Sequence, residues 1–198
     1  MVFPVGLMLV VICGAELFTG NNLMTFAVLK RKITATDLFR NWINVYFANF
    51  IGSVALAFLI SKSGLLQGNV QELAFSIAQN KIFQNLTVPF IRGILCNILV
   101  VLAVFMATAS QDIISKIFSC WFPIMLFVLS GYEHSVANMF FLPLAKFGGM
   151  DISWAQIFLN NLIPVTLGNI VGGAIIVPCM YFRAYFAEPK DYGVSLKG

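Results

Sequence analysis

The sequence predicts an all-α, polytopic membrane protein built on an inverted repeat, with two interrupted transmembrane helices. The first observation is composition: 60% of the 198 residues are hydrophobic, 10% are charged, and the mean hydropathy is +0.90. Soluble domains carry about 25% charged residues, so this chain belongs in a bilayer. The second observation is a set of apolar stretches of membrane-spanning length. The third is a polar frame that occurs twice along the chain.

Five apolar stretches reach the roughly 20 residues that a helix needs to cross a bilayer. We expect spans at about 2–28, 42–61, 84–109, 117–145 and 160–186. Together they predict one transmembrane domain covering residues 1–198. Its parts are a first half-repeat at about 1–61, a second at about 84–187 and a C-terminal tail at about 188–198.

The distribution of positive charge predicts the orientation of these spans. Most of the basic residues fall on one side, in the connections after the first and third spans and in the tail: Lys30, Arg31, Lys32, Arg40, Lys116, Arg183, Lys190 and Lys197. The other side receives Lys62, Lys81, Arg92 and Lys146. Because cytoplasmic loops are enriched in Lys and Arg, we expect the first side and the C-terminus to be cytoplasmic, in the inner (plasma) membrane. The net charge of +4 then requires no nucleic-acid partner.

Two polar motifs recur in the same order and indicate an internal repeat. The segments GAELFTGN (14–21) and GYEHSVAN (131–138) share the frame Gly-x-Glu-x4-Asn. Behind each frame lies a second match, in which Asn41, Asn49 and Gly52 recur as Asn161, Asn169 and Gly172. The offsets of 117 and 120 residues agree closely. The two frames lie in spans three crossings apart, so they traverse the membrane in opposite directions and the repeat is inverted.

An inverted repeat of this kind predicts where the helices break. Such folds interrupt the paired helices near the midplane, where the exposed backbone groups line a substrate site. We expect the breaks within the two frames, at Gly14, Gly20 and Gly131. A span precedes the second frame but not the first, so we also expect a first transmembrane helix that this sequence lacks.

Five blocks in this order, GAELFTGN, NWINVYFANFIG, GILCNILVVLAVFMA, GYEHSVANMFFLP and NLIPVTLGNIVGG, closely resemble the formate/nitrite transporter family. The resemblance implies a homopentamer in a lipid bilayer with an aquaporin-like fold and one pore per protomer. It also implies passage of small monovalent weak-acid anions, and protons with them. By overall likeness we rank hydrosulfide first, formate second and nitrite third.

The resemblance places four polar residues in the pore. His134, the only histidine, would donate a proton or hydrogen bond to the anion, with Thr19 opposite it. Asn97 falls on a pore asparagine, and Lys81 on a basic residue that would concentrate anions. Each has a structural alternative: His134 bonded to a loop carbonyl, Thr19 bonded to its own helix, Asn97 joining helices, and Lys81 reaching the interface.

The resemblance also selects apolar residues for two constrictions that would exclude hydrated ions. It puts Phe3, Val100 and Phe127 in an outer narrowing and Leu7, Leu17 and Phe18 nearer an inner one. By periodicity alone these are ordinary core residues.

The acidic and amide residues of the frames have a predicted structural role. Because acidic side chains repel anions, we expect Glu16 and Glu133 to accept hydrogen bonds from backbone N–H groups at the helix ends, away from the lumen. The asparagines of the frames should satisfy further backbone groups: Asn21, Asn49, Asn138 and Asn169.

Two other classes of protein are compatible with an apolar helical chain. A membrane enzyme or redox subunit would need cofactor ligands, and one histidine with scattered cysteines provides neither a haem pair nor a metal cluster. The four cysteines instead read as small buried hydrophobes: Cys13, Cys96, Cys120 and Cys179. A water or polyol channel would carry Asn-Pro-Ala at both breaks, which the sequence does not. We therefore expect no enzyme activity, cofactor or metal.

Overall fold

The computed structural model describes residues 2–186, and the predicted tail at 188–198 lies outside this range. Within it the chain is helical, without strands. The helices are α1 (Val5–Cys13), α2 (Phe18–Leu29), α3 (Ala35–Lys62), α4 (Asn69–Ile82), α5 (Thr87–Ala109), α6 (Ile113–Leu129), α7 (Ser135–Phe147) and α8 (Trp154–Phe186). A 3₁₀ turn lies inside α2 at Asn22–Met24, and π-helical turns lie inside α8 at Phe158–Leu162 and Val171–Ile176.

The helices correspond to the five predicted spans. Three of them, α3, α5 and α8, are individually long and apolar enough to cross a membrane. The pair α1 and α2 forms a fourth span, bent by 62° at its break. The fifth predicted span is the pair of shorter apolar helices α6 and α7. The predicted interruption of two spans is therefore confirmed.

Capping residues move several helix starts ahead of the predicted bounds. Helix α3 begins seven residues before the expected span because Thr34 and Asp37 form a reciprocal capping box at its N-terminus. Ser153 and Gln156 form the same motif before α8, and Asp112 caps α6. Hydropathy marks the apolar part of a span and does not register its polar first turn.

The breaks themselves are shorter than expected. Helix α2 already begins at Phe18 and α7 at Ser135, so Gly20 is helical and the prediction of a break there is wrong. The turning residues are Gly14 and Gly131, whose φ angles of 75° and 68° are ones that glycine adopts without a Cβ clash. An extended residue then leads into each second helix: Leu17 in one half, His134 in the other.

Asparagine side chains from neighbouring helices hold the first break. Asn49 of α3 accepts a hydrogen bond from the Phe18 backbone N–H (2.9 Å) and donates one to the Glu16 carbonyl (3.0 Å). Asn21 donates to the Glu16 carboxylate and to the Asn41 side-chain oxygen. The exposed backbone of the break is thus satisfied by amides that the sequence placed on the following span.

The second break has the same bonds between the equivalent residues. Asn169 of α8 accepts from the Ser135 N–H (2.9 Å) and donates to the Glu133 carbonyl (3.0 Å). Asn138 donates to the Glu133 carboxylate (2.6 Å) and to the Asn161 side-chain oxygen (2.7 Å). The repeat is therefore present at the level of individual hydrogen bonds. The backbone role predicted for the asparagines of the frames is what the structure shows for Asn49 and Asn169, whereas the Asn21 and Asn138 amides bind side chains instead.

Several side-chain hydrogen bonds join the halves, and two of them concern the repeat directly. Tyr46 and Thr166 occupy equivalent positions of the repeat, and their hydroxyls are 3.1 Å apart. A contact between equivalent residues is the mark of a two-fold relation, so the pseudo-symmetry axis passes close to this pair. The second contact joins Thr19 of the first break to His134 of the second.

Close packing of α5 against α8 sets the position of the asparagines. A Cβ on Gly168 would lie 2.2 Å from the Phe90 carbonyl oxygen, and one on Gly172 would lie 2.2 Å from the Ile94 carbonyl oxygen. Only glycine permits this approach. It brings Asn169 within reach of the second break.

Candidate functional site

Two cavities meet at the second break. We call the first the vestibule: it has a volume of about 330 Å³ and includes Lys81, Arg92 and Glu133 in its lining. The second, the chamber, has a volume of about 340 Å³ and is mainly apolar. Four residues line both cavities: Phe3, Phe127, His134 and Ala137. These residues form the boundary that a molecule passing between the cavities would have to cross.

His134 is held at this boundary by both ring nitrogens. Its Nδ1 accepts a hydrogen bond from the Ala137 backbone N–H (3.1 Å), and its Nε2 lies 2.8 Å from the Thr19 hydroxyl oxygen. A backbone N–H can only donate, so Nδ1 carries no proton, and the neutral ring must carry its proton on Nε2. The ring therefore presents a fixed N–H donor, shared with Thr19, to a site between two cavities.

Two aromatic rings narrow the boundary beside His134. The rings of Phe3 and Phe127 meet edge to face, with centroids 5.7 Å apart. The Phe127 ring also stacks on the His134 imidazole, at 5.7 Å and an interplanar angle of 11°. Both phenylalanines were expected in the outer narrowing. The structure adds that the His134 ring lies beside these two rings at the boundary between the cavities.

The remaining apolar candidates are divided between two locations. Leu7, Leu17 and Val100 line the chamber and not the vestibule. Phe18 is not among the residues that line the vestibule or the chamber. Its ring packs against the rings of Trp42 (centroids 6.0 Å apart) and Tyr46 (centroids 5.0 Å apart). As the first residue of α2, it points toward α3 instead of into the chamber. The place of Phe18 nearer the inner constriction stays a prediction.

Asn97 lies behind the cavities and not on their surface. Its side chain is fully buried and donates to the Asn22 side-chain oxygen (2.9 Å) and to the Asn169 carbonyl (2.8 Å). A Cβ on Gly173 would meet its amide nitrogen at 2.1 Å, so the glycine makes room for it. This geometry matches the interhelical alternative for Asn97. Thr19 is also fully buried, and its hydroxyl is hydrogen-bonded to the His134 ring.

The acidic residues of the frames have different roles from those predicted. Glu133 is 3% exposed, and both of its carboxylate oxygens lie 2.9 Å from the Lys81 ammonium nitrogen. Its carboxylate binds side chains, because the backbone N–H of the break is already bonded to Asn169. Glu133 also lines the vestibule, although we expected it to lie away from the lumen. Glu16 is exposed and bonded to Asn21. Lys81, expected as an unpaired charge, is neutralised by Glu133.

Arg92 is the vestibule residue that the sequence reasoning missed. The signal for it in the sequence is an arginine five residues into an apolar helix, a position that is typical of functional residues in membrane proteins. The cysteines also differ from expectation: Cys96 and Cys120 are buried, but Cys13 and Cys179 are exposed within this chain. Among residues 2–186, there is no cluster of three histidine, cysteine or acidic side chains that could hold a metal ion.

The fold and this site define a class of protein. Two interrupted membrane helices related by an inverted repeat meet at a histidine, and that histidine separates a charged cavity from an apolar one. This is the architecture of a membrane transport protein with a pathway through each protomer.

Comparison with known proteins identifies the family. The profile of the Formate/nitrite transporter family matches residues 1–183, and the chain belongs to this family. It is 48% identical to a probable formate transporter of Methanothermobacter thermautotrophicus, over 94% of this chain and 74% of that protein. The family membership confirms a transporter and not an enzyme.

Two solved structures have the same fold. An FNT family ion channel superposes with a TM-score of 0.85 at 36% identity, covering 91% of this chain and 74% of the other. A pentameric formate channel with formate bound gives a TM-score of 0.80 at 36% identity, covering 93% and 80%. These likenesses confirm the predicted helical channel fold.

Proposed function

We propose that this protein conducts small monovalent weak-acid anions across the membrane, with formate as its leading substrate. The relative from Methanothermobacter is named for formate transport, and one structural neighbour has formate bound. These likenesses favour formate over nitrite, and also over hydrosulfide, which overall sequence likeness ranked first.

The observation that carries this proposal is the position of His134 between the vestibule and the chamber. Apolar constrictions exclude hydrated ions, so an anion that passes Phe3 and Phe127 must exchange water for another donor. The Nε2–H of His134 is a donor at this boundary, and a hydrogen bond in a dry site is electrostatically stronger than in water. A bare anion would therefore be stabilised at the narrowest point.

The hydrogen-bond geometry favours donation of a hydrogen bond over transfer of a proton. A neutral imidazole that gave up its Nε2 proton would become an imidazolate, which a weak-acid anion cannot cause. Proton transfer would first require a proton on Nδ1, where the Ala137 N–H now donates. In our proposal the ring stays neutral, and the anion replaces or shares Thr19 as the acceptor of the Nε2 proton.

We also propose that five copies assemble into a ring with a pathway in each protomer. The structural neighbour with bound formate is a pentamer. Helix α3 buries only Leu38, Trp42, Val45 and Ala57 within the protomer, so much of its apolar surface is available to lipid or to a neighbouring copy. The positive-inside distribution supports a cytoplasmic location for the loop between α2 and α3. Native mass measurement in mild detergent tests the pentamer, and labelling of a cysteine placed in that loop tests the orientation.

Flux into liposomes is the direct test of function. Uptake of formate, hydrosulfide, nitrite and chloride should be measured at matched protein incorporation. We expect formate to be fastest and chloride slowest, because chloride is a poor hydrogen-bond acceptor compared with a carboxylate. No uptake of formate above that of empty liposomes would contradict the proposed function.

A pH series tests the role of the histidine. His134→Asn keeps an N–H donor and an N-cap oxygen but cannot titrate. If the neutral ring donates only a hydrogen bond, flux through this variant should be lower than native and should follow the same pH profile. A flattened profile in the variant would show instead that His134 transfers a proton.

A further inference from the structure

The charges around the vestibule do not contribute equally to its potential. Its described lining contains three formally charged side chains, namely Lys81, Arg92 and Glu133. The first and last form a close ion pair, with both N–O distances at 2.9 Å. Paired opposite charges cancel beyond a few ångströms. The net positive charge that an incoming anion meets therefore belongs to Arg92.

Arg92 also has hydrogen-bonding capacity that the protein does not use. Among the described residues, its guanidinium makes a single long bond, 3.4 Å from Nη1 to the Gln84 side-chain oxygen. A guanidinium has five N–H donors, so most of them lack a protein acceptor in the described chain. The side chain is half-buried at the cavity wall, where its charge is less screened than at an open surface.

The backbone fixes this residue relative to the histidine. The Arg92 carbonyl accepts a hydrogen bond from the Glu133 N–H (3.3 Å), and Glu133 immediately precedes His134 in the second break. The next residue, Gly93, accepts from the Asn169 side chain (2.8 Å). The arginine is thereby held to the same asparagine framework that positions the break.

We propose that Arg92 is the anion-capturing residue of the vestibule and a determinant of its preference for planar oxyanions. The proposal rests on the proposed function, because it names the group that binds the substrate before His134. A planar guanidinium pairs with a carboxylate through two parallel N–H···O bonds, whereas a lysine ammonium acts as a point charge. Formate and nitrite present two oxygens to such a fork, and chloride presents a single sphere.

The first experiment compares three variants in the liposome assay at low ionic strength. Arg92→Gln should raise the half-saturating formate concentration about five- to tenfold, because a focused charge raises local anion concentration by at least this factor. Its maximal flux should change by less than about twofold, since the vestibule charge acts before the boundary. In Arg92→Lys, the half-saturating concentration should be closer to the native value for chloride than for formate, because lysine keeps the positive charge and lacks the planar pair of N–H donors.

The matched control is Lys62→Gln, which removes one positive charge from the end of α3 without touching either cavity. It should leave the half-saturating concentration at the native value. An equal rise in both glutamine variants would show a general surface-charge effect and overturn the proposal. A native half-saturating concentration in Arg92→Gln would overturn it as well.

The second experiment needs no variant. Raising potassium chloride on both sides from about 0.01 M to about 1 M shortens the Debye length from about 30 Å to about 3 Å. The half-saturating formate concentration of the native protein should rise several-fold. A value independent of salt would overturn the proposal, whereas absence of any native formate flux would overturn the proposed function itself.

Discussion

The two breaks have the same backbone and different side chains. In each, a left-handed glycine is followed by an extended residue and then a helix, and an asparagine from a neighbouring span binds the backbone on both sides. The extended residue is Leu17 in the first break and His134 in the second. The comparison teaches that the repeat builds the same break twice, while an imidazole occupies the extended position only in the second break.

The glutamates of the two frames differ in the same way. Glu16 is exposed and bonded to an amide, whereas Glu133 is buried and paired with Lys81. The partner comes from α4, a helix in the connection between the halves that belongs to neither copy of the repeat. A helix that lies outside the repeat thus gives the second break different electrostatics from the first.

The largest expected effect tests the asparagine–backbone hydrogen bonds that the two breaks share. Asn169→Ala would leave the buried Ser135 N–H without its acceptor and the Glu133 carbonyl without its amide donor, and it would remove the side-chain donor that binds the Gly93 carbonyl of α5. We expect a loss of about 2–4 kcal/mol in stability, and about 1–2 kcal/mol for Asn49→Ala, whose site is less buried. Thermal unfolding in detergent measures both. Asn44→Ala, at an exposed position of α3, should be neutral, and equal losses at positions 49 and 169 would contradict the ranking.

The next effect tests the difference between the extended residues. His134→Leu makes the second break resemble the first and removes the N–H that we propose as the donor to the anion. Formate flux should fall about 10- to 100-fold, the equivalent of a hydrogen bond to a charged group, while assembly is retained. Size-exclusion chromatography controls for assembly, and flux within about twofold of native would show that the imidazole has only a structural role.

A smaller effect should separate the glutamates. Glu133→Gln leaves Lys81, which is 17% exposed, without its ion pair, and we expect a loss of about 1–2 kcal/mol in stability. Glu16→Gln, at an exposed site, should change stability by less than about 0.5 kcal/mol. Chemical unfolding of the two variants in parallel would decide this. The asymmetry would be lost if both variants behaved alike.

The smallest effect concerns the capping box at the N-terminus of α3, which lies in the first half-repeat but away from the break. Hydrogen bonds from the Thr34 side chain and backbone lower the pKa of Asp37 below its ordinary value. Its folded pKa is thus below its unfolded one, so its contribution is present above about pH 4 and is lost as the pH falls through the folded value. Asp37→Asn should therefore lower the unfolding temperature slightly at pH 7 and by less at about pH 3. An equal difference at both pH values would exclude this linkage, and flux should be unaffected at neutral pH.

Local patterns in the sequence predicted most of the framework, because each pattern depends on neighbours along the chain. Apolar length predicted the spans, and the Gly-x-Glu-x4-Asn frame predicted where two of them break. The spacing of Asn49 and Asn169 behind these frames predicted their backbone role. Local patterns do not show direction: only the structure shows that the helix that begins at Phe18 turns its ring toward Trp42 and Tyr46.

The sequence by itself determined that this is a membrane protein with an inverted repeat, two interrupted helices and one histidine in the second break, since these follow from composition, the lengths of the apolar stretches and the repeated polar frame. Only the tertiary structure decided which charges are paired. Lys81 and Glu133 are 52 residues apart in the chain, and their contact depends on how α4 packs against the second break. Electrostatic potential is set by distances through space, so the assignment of the vestibule charge to Arg92 could be made only once those distances were known.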